Sequence, residues 1–164
     1  MYEHMKKVRE ELLNTLNELS NEEFNEKPST DEWSVGQVVD HLQKMEKVVL
    51  ESLKKSIHHA EDKTVEEKQL EIVTDRSRKV PAPDYVVPSP VPIDRIKVIT
   101  ALEEARRDLI NFTELLAKDF DLTSRALKHP VLGELSIKQW VEFVGYHEER
   151  HLLQIKEAKE KIGA

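Results

Sequence analysis

Two histidines four residues apart stand near the C-terminus, in the stretch Gly145-Tyr146-His147-Glu148-Glu149-Arg150-His151-Leu152. Around them Ile137, Trp140, Val141, Val144, Leu152 and Ile155 recur at helical spacing. Residues four apart share a helix face, so His147 and His151 can aim at one point. They lie in line with the apolar stripe, and burying an imidazole without a partner costs roughly 1–3 kcal/mol. A shared divalent cation removes that cost. The alternative is a stripe that tolerates two polar residues hydrogen-bonded elsewhere.

A third histidine, His41, falls three after Val38 and four before Met45, on the inward side of another predicted helix. Alone it reads as a satisfied core histidine. Beside His147 and His151 it completes a trio on facing helices, the way bundle metal sites are built. Three neutral imidazoles with water at the remaining positions make an open site of the catalytic kind. Such a shell suits zinc, nickel, copper, cobalt or ferrous iron. Asp40, Glu148 and Glu149 are the candidate carboxylate bases for a hydrolase, though each reads first as a solvated helix-surface charge. A carboxylate-bridged di-iron site is excluded. It needs a Glu-x-x-His pair on two helices, and Val38 stands where the second Glu would be.

Four long amphipathic helices must position these residues. Met5, Val8, Leu12, Leu16 and Leu19 predict the first over 3–19, and Ser20 with Glu23 caps one further short turn. Ser34 with Gln37 opens the second, whose stripe of Val35, Val38, Leu42, Met45, Val49 and Leu53 runs to about Ile57. Val98, Leu102, Ala105, Leu109, Phe112, Leu115 and Leu116 mark the third, with Thr100 and Glu103 as a capping box or a start as early as Asp94. Ser136 with Gln139 opens the fourth, which runs to about Lys161. Between them, 119–135 reads as a loop. Residues 58–92 carry the solvated pair His58 and His59, a mixed-charge run, and prolines at 81, 83, 88, 90 and 92. No regular helix survives those prolines. This stretch predicts a long crossover between the second and third helices, less ordered than the bundle because it has little apolar surface to offset its ordering entropy. Trp33 and Trp140 read as packing at helix starts. The fold expected is an all-α four-helix bundle with one crossover, a single domain over 1–164.

Composition narrows the function. The chain has 164 residues, is 38% hydrophobic and 35% charged, and has only four glycines, as suits a helical protein. Its net charge of −7 argues against nucleic-acid phosphates as partners. The absence of cysteine excludes disulfides, thiolate-bound zinc and a cysteine nucleophile, and fits a reducing compartment. No apolar run approaches the roughly 20 residues of a membrane span, and the polar N-terminus does not resemble a secretory signal. A cytoplasmic protein acting on a small molecule is expected.

Three ordered pieces resemble the DinB-like, or YfiT-like, metal-dependent proteins: Glu32-Trp33-Ser34 leading into Val38-Val39-Asp40-His41-Leu42; His129-Pro130 with Gly133, Leu135 and Ser136; and His147 with His151 followed by Gln154-Ile155. The resemblance covers nearly the whole chain. It implies a four-helix bundle, His41, His147 and His151 as metal ligands, nickel or zinc as the metal, and a homodimer. Several members of that family are S-transferases joining a low-molecular-weight thiol, such as bacillithiol or mycothiol, to an electrophile; another branch isomerises maleylpyruvate. The leading expectation is therefore a thiol S-transferase whose reactive sulfur comes from the co-substrate. A metal hydrolase on the same site is the second reading. A non-catalytic bundle with a structural metal is the third, and it would need a fourth protein ligand such as His129 or a carboxylate.

Overall fold

Five α-helices and a small sheet make up the computed structural model, which describes residues 1–164 apart from the side chain of Glu61. Four helices are long: α1 (Glu3–Asn17), α3 (Val35–Ser56), α4 (Arg95–Asp119) and α5 (Ile137–Ile162), with the short α2 (Asn21–Asn25) between the first two. Helix α3 packs along α4 and α5, and α1 along α5. The long helices bury most of their predicted stripes, with Leu115 of α4 exposed instead, and α2 adds Phe24 to the core. The protein is a four-helix bundle with a crossover. Among the described residues no helix is long and apolar enough to cross a membrane.

Capping fixes where the helices start, and so which way their side chains point. Both halves of the box are made at Ser20 with Glu23 and at Ser34 with Gln37. At Ser136 only half is made. The hydroxyl accepts the Gln139 amide at 3.2 Å, while the Gln139 side chain donates instead to the Lys68 carbonyl at 2.9 Å. The box expected at Thr100 is absent: α4 takes the alternative, earlier start, six residues before, with the Asp94 carboxylate accepting the Lys97 amide at 3.0 Å.

The expected loop 119–135 is largely a hairpin. Strands β2 (Arg125–His129) and β3 (Gly133–Ser136) pair antiparallel, Ala126 opposite Ser136 and His129 opposite Gly133, with β1 (Glu61–Asp62) added on the far side of β2. Gly133 takes a φ of +75° at the turn, where other residues are strained. His129 Nδ1 accepts the amides of Val131 and Leu132 at 3.2 and 3.1 Å, closing the turn. Each strand is too short for its alternation to stand out, hence the loop reading. The hairpin feeds α5 directly, and Trp140 donates back to the Leu127 carbonyl at 3.2 Å.

The crossover, residues 57–94, contains three short 3-10 turns (Ile57–His59, Leu70–Thr74 and Asp84–Val86) and no long helix, as the prolines dictate. It is less solvated than its composition implied, for Leu70 and Val86 are buried. Side chains of the bundle also bind its backbone: Arg150 donates to the carbonyls of Val73, Asp75 and Arg78. His58 and His59 are exposed at the end of α3, as expected.

Four charges sit inside the bundle. Arg9 of α1, Glu46 of α3, Arg106 of α4 and Glu148 of α5 are 8%, 2%, 7% and 1% exposed. Arg9 grips Glu148 with two bonds of 2.7 and 2.8 Å and reaches Glu46 at 3.1 Å, and Arg106 donates to both carboxylates. The spare guanidinium nitrogens donate to the carbonyls of Leu102 and Met5 at 3.2 and 3.1 Å. Nearby, α1 crosses α5 so closely that a Cβ on Gly145 would meet Met5 Cβ at 2.9 Å. Removing one member of such a buried network strands the opposite charge. Arg106→Met should therefore cost about 3–5 kcal/mol in urea unfolding, far more than loss of an exposed pair.

Candidate metal centre

His41 enters the site two turns into α3, in a phase set by the Ser34 cap; His147 and His151 enter from the middle of α5. Each offers one ring nitrogen to a cluster whose members all lie within 4.8 Å of one another. The ring centroids are 5.4 Å apart for His41 and His147, 4.7 Å for His41 and His151, and 4.6 Å for His147 and His151. Nε2 of His147 lies 3.2 Å from Nε2 of His151. Two nitrogens bound to one tetrahedral zinc at 2.0–2.1 Å stand about 3.3 Å apart, so this pair already has the spacing of a chelate.

Outer contacts decide which nitrogen faces inward. The Val86 carbonyl can only accept, so the His41 Nδ1–H donates to it at 2.9 Å and Nε2 keeps its lone pair. His151 Nδ1 lies 2.8 Å from the Gln154 amide oxygen, with the same consequence. Fixing a ligand's tautomer through its other nitrogen is the usual outer-shell arrangement at histidine metal sites. Trp33 tilts against His41 at 5.1 Å between centroids and Phe143 against His147 at 5.7 Å, so two aromatic rings wall the cluster. His41 and His151 are buried, and His147 retains partial exposure.

Burial also keeps the imidazoles neutral. It pushes the His151 pKa down to about 3, assisted by His41, and pushes His147 well below the usual histidine value, assisted by His151 and His41. His41 is lowered by burial too, with the bond to Val86 opposing. The trio can thus accept a cation without first shedding protons.

The other expected residues lie elsewhere or have other work. His129 is held in the hairpin turn against Trp140 and Phe143, at 4.6 and 4.5 Å, and is not part of the cluster. Burial alone lowers its pKa to about 4. Glu148 is not the surface charge expected but the buried partner of Arg9 and Arg106. Asp40 is buried as well, its oxygens taken by Gln43 at 3.0 Å, Lys44 at 2.8 Å and the Ser89 amide at 2.9 Å. Glu149 is on the surface, 3.2 Å from His4 Nε2. Among the described residues no carboxylate joins the three histidines. Sequence reasoning missed Arg9, Glu46 and Arg106, although each sits among stripe residues: Arg9 beside Val8, Glu46 four after Leu42, and Arg106 four after Leu102.

Comparison with known proteins agrees with the fold. The model of the DinB superfamily matches residues 4–155. The chain belongs to the DinB superfamily. YuaE of Bacillus subtilis (strain 168), an uncharacterised member of the curated proteins, is 41% identical over 156 residues, 94% of each chain. Two solved structures share the fold. TT2238, a four-helix bundle protein, aligns with a TM-score of 0.62 at 20% identity over 94% of each chain. YfiT from Bacillus subtilis, described as a probable metal-dependent hydrolase with an unusual four-helix bundle topology, aligns with a TM-score of 0.61 at 17% identity, over 98% of this chain and 84% of its own.

A pH prediction follows from the depressed imidazoles. In the unfolded chain they take up protons near pH 6.5; in the folded protein they do so only at lower pH. The unfolded state then binds more protons, so the metal-free protein keeps its full stability above about pH 6.5 and loses it progressively toward pH 3. Proton competition with a bound metal moves down in the same way, away from the window near 6.5 that unperturbed histidines would give. Between pH 7 and 5.5 zinc affinity should change by less than about ten-fold, where three unperturbed imidazoles would lose several hundred-fold. Metal titrations at the two pH values check this.

Proposed function

We propose that this member of the DinB superfamily is a divalent-metal-dependent enzyme, with His41, His147 and His151 as ligands, that joins a low-molecular-weight thiol of the bacillithiol type to an electrophilic small molecule. The observation that carries the reading is the convergence of three neutral imidazoles with no carboxylate among them. A divalent cation in that set keeps its full double charge and supplies the Lewis acidity that lowers the pKa of a thiol or of water. Nickel and zinc both suit an all-imidazole shell.

The chain's own residues favour the thiol as nucleophile. Water attack ordinarily draws on a nearby carboxylate to take its proton, and Glu148, Asp40 and Glu149 are all engaged elsewhere. A thiol ionises much more readily than water, and its proton can pass to solvent on the His147 side, where the cluster is partly exposed. Sulfur then forms its bond to the electrophilic carbon as the leaving group departs. The protein has no cysteine to compete for the electrophile. Trp33 and Phe143 offer apolar walls for a small substrate.

The hydrolase reading is supported by the likeness to YfiT and differs only in the nucleophile. A structural metal is the weaker reading, since no fourth His, Cys, Asp or Glu closes the cluster among the described residues. Elemental analysis should find about one equivalent of nickel or zinc in wild-type protein and in His4→Ala and His58→Ala, and little in His41→Ala, His147→Ala or His151→Ala. Thiol conjugation to a model electrophile should fall by about a hundred-fold or more in the latter three, in line with loss of a metal's contribution to catalysis. Wild-type metal content in His147→Ala and His151→Ala would remove the metal and the enzyme together. Thiol-independent ester or amide hydrolysis by the metallated protein would establish the hydrolase instead.

A further inference from the structure

Asp40 adjoins a metal-site histidine, is buried, and takes no part in the chemistry above. Its contacts lead to the crossover. Oδ2 accepts the Ser89 amide at 2.9 Å, and Ser89 lies between Pro88 and Pro90, neither of which has an N–H to give. The Ser89 amide is therefore the one backbone donor of that tripeptide, and Asp40 takes it. Three neighbours on the same face of α3 bind the same stretch: Gln37 Nε2 donates to the Ser89 carbonyl at 2.9 Å, Lys44 Nζ to the Val87 carbonyl at 3.0 Å, and His41 Nδ1 to the Val86 carbonyl at 2.9 Å. Positions 37, 40, 41 and 44 are spaced three and four apart, which lines them up along the helix. Val86 is fully buried.

We propose that Asp40 is a positioning residue for the metal centre: by holding residues 86–89 against α3 it places the Val86 carbonyl that sets the tautomer and direction of His41. The proposal rests on the metal reading above. It makes this part of the crossover the outer shell of the site, so that metal binding and docking of the segment strengthen each other. Such coupling is reciprocal: what the segment adds to metal affinity, the metal adds to docking of the segment. Val86 acts through its backbone carbonyl, so the position is recognisable only through the bonds that hold the segment in place.

The test uses zinc on the full chain, with affinity by competition titration, backbone amide exchange at 84–90 with and without zinc, and circular dichroism to confirm folding. Zinc should slow exchange of the Val86, Val87 and Ser89 amides in wild type. Asp40→Ala should lose about 10–100-fold in zinc affinity, the usual effect of removing an outer-shell partner, along with the zinc-dependent protection. Asp40→Asn keeps an acceptor oxygen and should recover most of both, which a merely electrostatic role of the carboxylate would not allow. Ser89→Pro removes the same bond from the crossover side without touching α3 and should reproduce Asp40→Ala; it decides the matter if Asp40→Ala does not fold. Wild-type zinc affinity in folded Asp40→Ala or Ser89→Pro overturns the positioning role alone. Failure of wild type to bind zinc or nickel overturns the metal reading and this one with it.

Discussion

The bundle depends on one buried electrostatic network. Arg9, Glu46, Arg106 and Glu148 come one from each long helix, and their two positive and two negative charges balance in the core. Measured against apolar residues of the same volume, such a cluster gains little stability, because desolvating four ions offsets most of their attraction. Its effect is on geometry. An apolar stripe tolerates a shift along its neighbour, whereas a bidentate guanidinium–carboxylate pair does so only by leaving a buried charge unpaired. The network thus holds α3 and α5, the helices that carry the histidines, in one relative position. Glu148 directly follows His147 in sequence, so the constraint reaches the site within one residue.

Around the site, the pieces that keep it in shape differ from those that would do chemistry. The three imidazoles supply nitrogen lone pairs; Val86 and Gln154 set which nitrogen faces inward; burial keeps the rings neutral. Each is in place in the metal-free fold, so little reorganisation would oppose the binding of a cation there. The hairpin contributes at a distance. It delivers the chain into α5 at a fixed residue, and on a helix a slip of one residue would turn His147 and His151 by about 100° away from His41.

Much of this was legible in the residues. The stripes located the long helices, the prolines kept regular helix out of the crossover, and the phases of His41, His147 and His151 brought the trio to one side. The misreadings share a cause. Asp40 and Glu148 looked like solvated charges because their types are seldom buried unpaired, and their burial draws on partners remote in sequence: Ser89, beside the local Gln43 and Lys44, for Asp40, and Arg9 and Arg106 for Glu148. The β2–β3 hairpin was taken for a loop because strands of four and five residues show too little alternation to recognise, and the pairing that makes them strands lies between segments.

By itself the sequence determined what is periodic and local: the helices and their inward faces, the caps at Ser20 and Ser34, the break at the prolines, and the i, i+4 spacing that lets His147 and His151 act as a pair. These depend on contacts within a few turns of chain, so a short window contains their cause. Only the tertiary structure decided where the Glu148 carboxylate points, that Asp40 reaches Ser89, which carbonyl fixes His41, and that His129 stays outside the trio. Those depend on hydrogen bonds and ion pairs between residues far apart in sequence, such as Val86 with His41 and Arg9 with Glu148. Their free energy exists only once the helices have packed and water has left the core, and no local pattern of residue types records it.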